Sequence, residues 1–312
     1  MNGTVFHPWP AHTSKDWNLK AMRLQHRLHA HPALQLDALG ALIDSYPRSD
    51  YALVHTSRHG DGRARWREGD INGTPGRQAI DAIAQGSLWL NLRQAHLHGT
   101  AYAQMLEQAY DEIAAQVPGF SAGALKLGIL ISSPRAQVHY HCDLPGQLLW
   151  QIHGRKRVWV YPAATPCLQP EWLEDIAYTG FEFSLVYDPA FDRMALVFDL
   201  EPGQMLTWPL NAPHRVENAD CLNVSVTSEH WTPENRRAQK VHLANAVLRH
   251  RMGLRARGRP LSGPGYWAKA ALQAAWRRSP WAGAAQKALR PLEFRLDVRA
   301  PGGLVDIAGA AP

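Results

Sequence analysis

Cysteine is scarce in this chain. It has three among 312 residues, Cys142, Cys167 and Cys221, irregularly spaced and with no C-x-x-C pair. That argues against a disulfide framework and against a zinc site built on thiolates, and makes a reducing compartment the expectation. Long apolar runs are missing too: none approaches the ~18 residues of a membrane span. The opening MNGTVFHPWPAHTSKDW lacks the basic-then-apolar order of a secretory leader. A soluble, cytoplasmic protein is expected. Low complexity is absent, while 12 tryptophans and 22 prolines suggest aromatic-lined pockets and many fixed turns.

Acidic residues are nearly absent from one region. Residues 236–299 hold 15 Lys/Arg against two acids, Glu293 and Asp297, whereas the whole chain carries only +6. Basicity therefore belongs to the C-terminal part, and everything before it is net acidic. That part mixes arginines with Trp267, Trp276 and Trp281. Three readings stay open: helices that pack on the body or join two copies as a homodimer, an anionic partner such as nucleic acid, or an anionic membrane surface. The first is favoured, because no nucleic-acid motif accompanies the charge.

Periodicity divides the rest. Helical spacing of Leu36, Leu39, Leu42 and Ile43 predicts a short helix between Pro32 and Pro47. Residues 56–76 are Gly-rich and charged and read as a mobile surface loop. A helix capped by Thr74 and ending at Gly86, a strand over 87–92 and an amphipathic helix over 100–117 follow. From 119 to 231 the pattern becomes short strands, near 123–132, 137–142, 147–153, 156–161, 195–199, 204–207 and 221–228. Many short strands with Pro/Gly turns predict a barrel or double-sheet jelly roll. Beyond TPENRR the chain reads as helix again, through AQKVHLANAVLRHRMG and YWAKAALQAAWRRSPWAGAAQKALR.

The segment VHYHCDLPGQLLWQIHGRKRVWVYP sets His139, His141 and Asp143 on alternate positions of a strand, hence on one face. Imidazoles and a carboxylate turned toward a core are costly unless something pairs with them, and a metal ion would. EPGQMLTWPLNAPHRVEN offers His214 as a third ligand. Two histidines and a carboxylate, His141, Asp143 and His214, suit Fe(II) and leave coordination positions open for a co-substrate and dioxygen. His139 shares the parity of His141, so it is either a pocket-wall residue or a ligand in an H-x-H set. Lys156, 13 residues after Asp143, is placed to meet the far carboxylate of a dicarboxylate.

HCDLPGQLLWQIHGRKRVWVYP resembles the core of JmjC-type, cupin-like oxygenases that use Fe(II) and 2-oxoglutarate, above all their asparaginyl-hydroxylase-like branch. LEPGQMLTWPLNAPHRVEN looks like the segment bearing the last ligand, and CLNVSVTSEHW is similar to the closing strand of the family's barrel. The likeness covers roughly residues 86–232. It implies a mainly β fold with flanking helices: a double-stranded β-helix over 86–232, an N-terminal helical and loop segment over 1–85, and a basic helical segment over 233–312. It also implies a dioxygenase with Fe(II), 2-oxoglutarate and O2, hydroxylating a peptide or protein side chain or a small molecule. The alternative is a cupin-fold metal-binding or regulatory protein without 2-oxoglutarate turnover.

On this resemblance His141, Asp143 and His214 hold the metal and Lys156 holds 2-oxoglutarate. Gln147, Asn223 and Ser225 are its candidate helpers, and His139, Arg135 and Trp208 line the substrate pocket. Two positions depart from the family pattern. Val138 stands where a Thr or Ser contact is common, and Gln147 where Asn is expected.

Overall fold

The computed structural model describes residues 3–10, 13–58, 64–182, 185–256, 258–282, 291–300 and 303–307. The chain opens with α1 (Thr13–Asp16), β1 (Met22–Gln25), α2 (Leu36–Asp44), β2 (Tyr51–Arg58), β3 (Ala64–Asp70), α3 (Gly76–Gln85), β4 (Leu88–Leu92) and α4 (Thr100–Gln116). Then come β5 (Gly123–Ser132), β6 (Gln137–His141), β7 (Gly146–His153) and β8 (Lys156–Val160). An insertion carrying α5 (Pro170–Thr179) leads to β9 (Leu196–Leu200), β10 (Gln204–Thr207), β11 (His214–Asn218) and β12 (Asn223–Trp231). The chain closes with α6 (Pro233–Met252), α7 (Gly263–Arg278), β13 (Leu292–Leu296) and β14 (Leu304–Asp306).

Strands β5 to β12 fall into two facing sheets. β10, β7, β12 and β5 are neighbours in a ten-stranded sheet, and β6, β11, β8 and β9 form the second. This alternation of the chain between sheets is the double-stranded β-helix that the strand pattern predicts. β7 shows what enforces it. Leu148, Trp150 and Ile152 pack outward into the large core, while Leu149, on the opposite parity, packs with Val158, Val160, Leu200, Leu206 and Trp208 between the sheets. A strand buried on both faces reads as a continuous apolar run, which LLWQI nearly is. On the outer side, α4 presents Tyr102, Met105, Leu106, Ala109, Tyr110 and Ile113 at helical spacing. Burying Met105, Leu106 or Ile113 contributes roughly 1.5–3 kcal/mol each.

Three expectations change. Residues 56–76 are mostly not loop: β2 and β3 pair antiparallel across Leu53↔Gly69 to Arg58↔Ala64, and the loop between them lies outside the described residues. β2 also pairs with β4, and β3 with β13, so ladder hydrogen bonds hold a polar segment extended against its composition. The N-terminal segment therefore contributes strands, β1 at one edge of the large sheet and β2 and β3 further along it. The helix expected to run on to residue 290 ends at Arg278, and residues 283–290 lie outside the described residues.

The C-terminal helices dock on α5 around a buried carboxylate. Glu174, 3% exposed, accepts from Asn245 Nδ2 at 2.9 Å, Arg249 Nη2 at 3.3 Å and Arg259 Nη2 at 2.7 Å. A buried charge is tolerable when it is paired and hydrogen-bonded in this way. Pro233 at the first turn and the Thr232 hydroxyl, accepting from the Asn235 amide at 3.1 Å, start α6. Among the described residues no helix is long and apolar enough to cross a membrane.

Gly154 makes the β7–β8 turn at φ +73°, and a Cβ there would sit 2.1 Å from the Leu222 carbonyl oxygen. Both the left-handed backbone and the close approach exclude a side chain. Gly154→Ala should lower the free energy of unfolding by roughly 1–3 kcal/mol, read from urea denaturation against the parent protein. An unchanged midpoint would show that the turn relaxes without strain.

Candidate metal centre

The antiparallel pairing of β6 with β11 places His214 directly opposite His141. Asp143 follows β6 by two residues, where the chain bends toward β7. The result is a cluster in which one ligand atom from each of His141, Asp143 and His214 lies within 4.8 Å of the others. The two imidazole centroids are 4.2 Å apart, and His214 Nε2 is 3.4 Å from Asp143 Oδ2.

Each ring is oriented through its other nitrogen. His141 Nδ1 lies 2.7 Å from the His139 carbonyl oxygen, and His214 Nδ1 3.1 Å from that of Ala212. Nδ1–H donating to a carbonyl leaves Nε2 as the lone pair facing the cluster, the usual state of a metal-binding imidazole. Asn211, in the left-handed region at φ 61°, donates its side-chain amide to the Asp143 carbonyl oxygen at 2.6 Å and clamps the ligand loop. The Trp208 ring lies against His214 with centroids 4.4 Å apart, an apolar wall for the site.

Burial governs the protonation of all three. It holds both imidazoles below their usual pKa, His214 further because His141 is beside it. Burial, with a smaller contribution from Glu229, pushes the Asp143 carboxyl up. Two neutral imidazoles and a carboxylate that gains by meeting a cation fit a divalent ion such as Fe(II).

His139 stands elsewhere. Three steps on β6, from His141 to Val138, span two on β11, from His214 to Val216. This β-bulge reverses the parity that simple alternation gives. Val138 therefore lies opposite the inward Val216, and His139 is exposed. The H-x-H ligand set is corrected, and His139 instead lines a surface cleft with Val138, Tyr140, Tyr187 and Arg215.

Lys156 is buried to 6% exposure on the same strand face as Val158 and Val160, which pack between the sheets. It pairs in register with Asn218, whose amide donates to Ser132 Oγ and the Ser133 carbonyl, each at 2.8 Å. No acceptor for the ammonium lies among the described residues, and burial lowers its pKa to about 7.

The expected helpers divide. Gln147 sits opposite Glu229, with its buried Oε1 lacking a hydrogen-bond partner among the described residues. Asn223 and Ser225 are fully buried, but their donors are used within the protein. Ser225 Oγ donates to Gln151 Oε1 at 2.9 Å, Gln151 Nε2 to Asn223 Oδ1 at 2.8 Å, and Asn223 Nδ2 to the Cys221 carbonyl at 3.0 Å. Arg135 is an exposed turn residue at φ 59° paired with Asp220, beside the Asn218 end of β11 and away from the triad. It does not line the pocket. Asn211, Gln151 and Asn218 escaped sequence reasoning, since polar residues near turns carry no signal until their partners are known.

Asp143→Ala should weaken Co(II) or Mn(II) binding by more than about 100-fold, beyond the ~10–100-fold typical of losing a supporting hydrogen bond. His139→Ala keeps the backbone carbonyl that orients His141 and should leave metal affinity unchanged. Calorimetric titration under argon separates the two. Equal losses would return His139 to the ligand set.

Residues 79–236, half of the chain, match the family model described as the cupin-like domain. No curated protein sequence matches the chain. Among solved structures, Escherichia coli ycfD is similar with a TM-score of 0.52 at 18% identity, over 94% of this chain and 76% of that one. A crystal structure of the Escherichia coli ribosomal oxygenase YcfD gives 0.50 at 19% identity, over 94% and 75%. The same protein in complex with cobalt and 2-oxoglutarate gives 0.49 at 16%, over 93% and 74%. At these identities the structural likeness is one of fold. With the matched segment spanning all eight strands of the double-stranded β-helix, the chain belongs to the cupin-like domain family.

Proposed function

We propose that this protein is an Fe(II)- and 2-oxoglutarate-dependent dioxygenase that hydroxylates a side chain of a peptide or protein. One observation supports the reading: a buried lysine with no hydrogen-bond or ion-pair partner among the described residues, inside the same barrel as a two-His-one-carboxylate cluster. A buried unpaired charge is costly, so Lys156 is a site awaiting a negatively charged group. Its strand position fits a dicarboxylate. Val160 pairs with His214, and Lys156 lies four residues back along β8, ~13 Å at a strand's rise. The lysine stem and a five-carbon diacid together cover that separation.

His141, Asp143 and His214 would hold the iron. When bound, iron supplies the activation of dioxygen as 2-oxoglutarate is converted to succinate and carbon dioxide. The chain's own contribution is positional. Lys156 fixes the distal carboxylate through a charge-assisted hydrogen bond. Leu149, Val158, Val160, Leu206 and Trp208 keep water from the space between triad and lysine. The two Nδ1 contacts keep both imidazoles in the ligating tautomer. A protein substrate is favoured by analogy with the ribosomal oxygenase, and that analogy rests on fold. The barrel at 86–232 is the catalytic unit of this proposal, with 1–85 and 233–312 as its flanks.

Lys156→Met keeps the stem and deletes the charge. A charge-assisted hydrogen bond of roughly 1.5–3 kcal/mol corresponds to a loss of about 10–150-fold in 2-oxoglutarate affinity, with Fe(II) affinity nearly unchanged. The readout is the Fe(II)–2-oxoglutarate charge-transfer absorbance under argon, together with succinate formation on admitting air. The lowered pKa adds a pH signature. Below about 7 the ammonium is present before the ligand arrives; above it, binding must take up a proton. Affinity should therefore weaken as pH rises through 7 to 9, and this slope should vanish in the methionine variant. Absence of the band in the parent protein, with no succinate, would leave a cupin-fold metal-binding protein instead.

A further inference from the structure

The C-terminal ends of α5, α6 and α7 meet at one end of the helical layer. Tyr178 of α5 stacks on His250 of α6 at 5.0 Å and on Trp276 of α7 at 5.6 Å, and the Arg251 guanidinium lies over the Trp276 ring at 5.3 Å. The inner side of the layer is closed, with Leu243, Val247 and Trp276 buried together. The outer side is bare. A surface helix normally turns charged and polar residues to water. Between Trp267 and Trp276 the exposed positions of α7 are instead Trp267, Ala268, Ala271 and Ala275, while Lys269 spends its ammonium on the buried Asn245. Trp267 is 67% exposed, and at the common helix end Met252, Leu254 and Trp281 are 57%, 56% and 61% exposed.

Cations surround these side chains. Arg251, Arg277 and Arg278 are exposed at the same helix ends and enter no ion pair among the described residues. α6 and α7 hold a single acid, Glu234, in the first turn of α6 and so at its opposite end. Asp175, at the common end, is occupied by Arg249 and His250. This composition narrows the occupant. A second copy docking through the same face would bring the three arginines of each chain together with no carboxylate to meet them. Single-stranded nucleic acid could stack on Trp267 and Trp281 but offers Met252 and Leu254 nothing comparable. The surface of an anionic bilayer suits both kinds of residue: headgroup phosphates pair with guanidinium groups, while Trp, Leu and Met enter the boundary with the acyl chains.

We propose that this face docks the protein on an anionic phospholipid surface, with α7 lying along the membrane plane. Trp267 and Trp281 sit at the two ends of the contact, and Met252 and Leu254 widen it at the end of α6. Arg251, Arg277 and Arg278 meet the headgroups beside them. Attachment of this kind is peripheral and depends on salt, because part of it is the attraction between arginines and lipid phosphates. It is independent of the chemistry in the barrel.

The test sediments the full chain with vesicles of phosphatidylcholine alone, and of phosphatidylcholine mixed with phosphatidylglycerol, at low and at physiological salt. Binding to the mixed vesicles and not to the neutral ones, weakened by salt, is the expected result. A basic residue near an anionic leaflet is worth roughly fivefold in affinity, so Arg277→Gln with Arg278→Gln should weaken binding about 25-fold. Trp267→Ala with Trp281→Ala should also weaken it, and should remove the blue shift of tryptophan emission that mixed vesicles cause in the parent. Both double variants change exposed side chains only and should bind Co(II) as the parent does. Equal binding to both kinds of vesicle, binding to neither, or binding that both variants retain would overturn the proposal. So would a dimer in light scattering that the tryptophan variant dissociates, which would give the face to a second copy. Tighter binding to a single-stranded oligoribonucleotide than to the mixed vesicles would give it to nucleic acid, and overturn the proposal as well.

Discussion

The antiparallel pairing of β6 with β11 is the constraint on which the site depends. Opposite residues in such a ladder hold their Cβ atoms about 4.5–5.5 Å apart. Residues 73 positions apart thus become neighbours at His141 and His214 without any loop having to place them. Asp143 needs only the bend that ends β6. β11 is also paired on its other side with β8, so the same strand that carries His214 fixes where Lys156 stands. One central strand thus places both the triad and the lysine, and its register cannot slip by a residue without turning His214 outward.

That register is held by contacts away from the chemistry. Leu148, Trp150 and Ile152 anchor β7 to the helices, while Gln151 ties the Gly154 turn to Asn223 and Ser225 on β12. Asn218 does the same between β11 and β5 through Ser132 and Ser133. These buried amides spend their donors on backbone and side-chain oxygens, so the end of the barrel is rigid and satisfied. Against that background Lys156, which has no partner among the described residues, stands out.

The basic C-terminal part has a structural share in its own charge. Arg249 and Arg259 converge on Glu174, and Arg249 also meets Asp175, so two of the cations serve to dock α6 and the following loop on α5. Arg251 lies over the Trp276 ring and Arg237 over Tyr266, further pairings within the helical layer. A charge excess read along a sequence therefore overstates the charge left for a partner.

The strand pattern from 119 to 231 was legible because strands buried on both faces must be apolar and the turns between them need Gly, Pro or Asn. The H-x-D pair stood out because alternate positions of a strand share a face, whereas His214 and Lys156 stood out by spacing and by the likeness of their segments to the family pattern. β2, β3, β13 and β14 were not legible, since their extended shape comes from ladder partners remote in sequence. His139 marks the boundary most sharply. Alternation along one strand puts it beside His141, but the face of a residue also depends on the partner strand. A single extra residue opposite β11 turned it to solvent, and that bulge exists only once the two strands are paired.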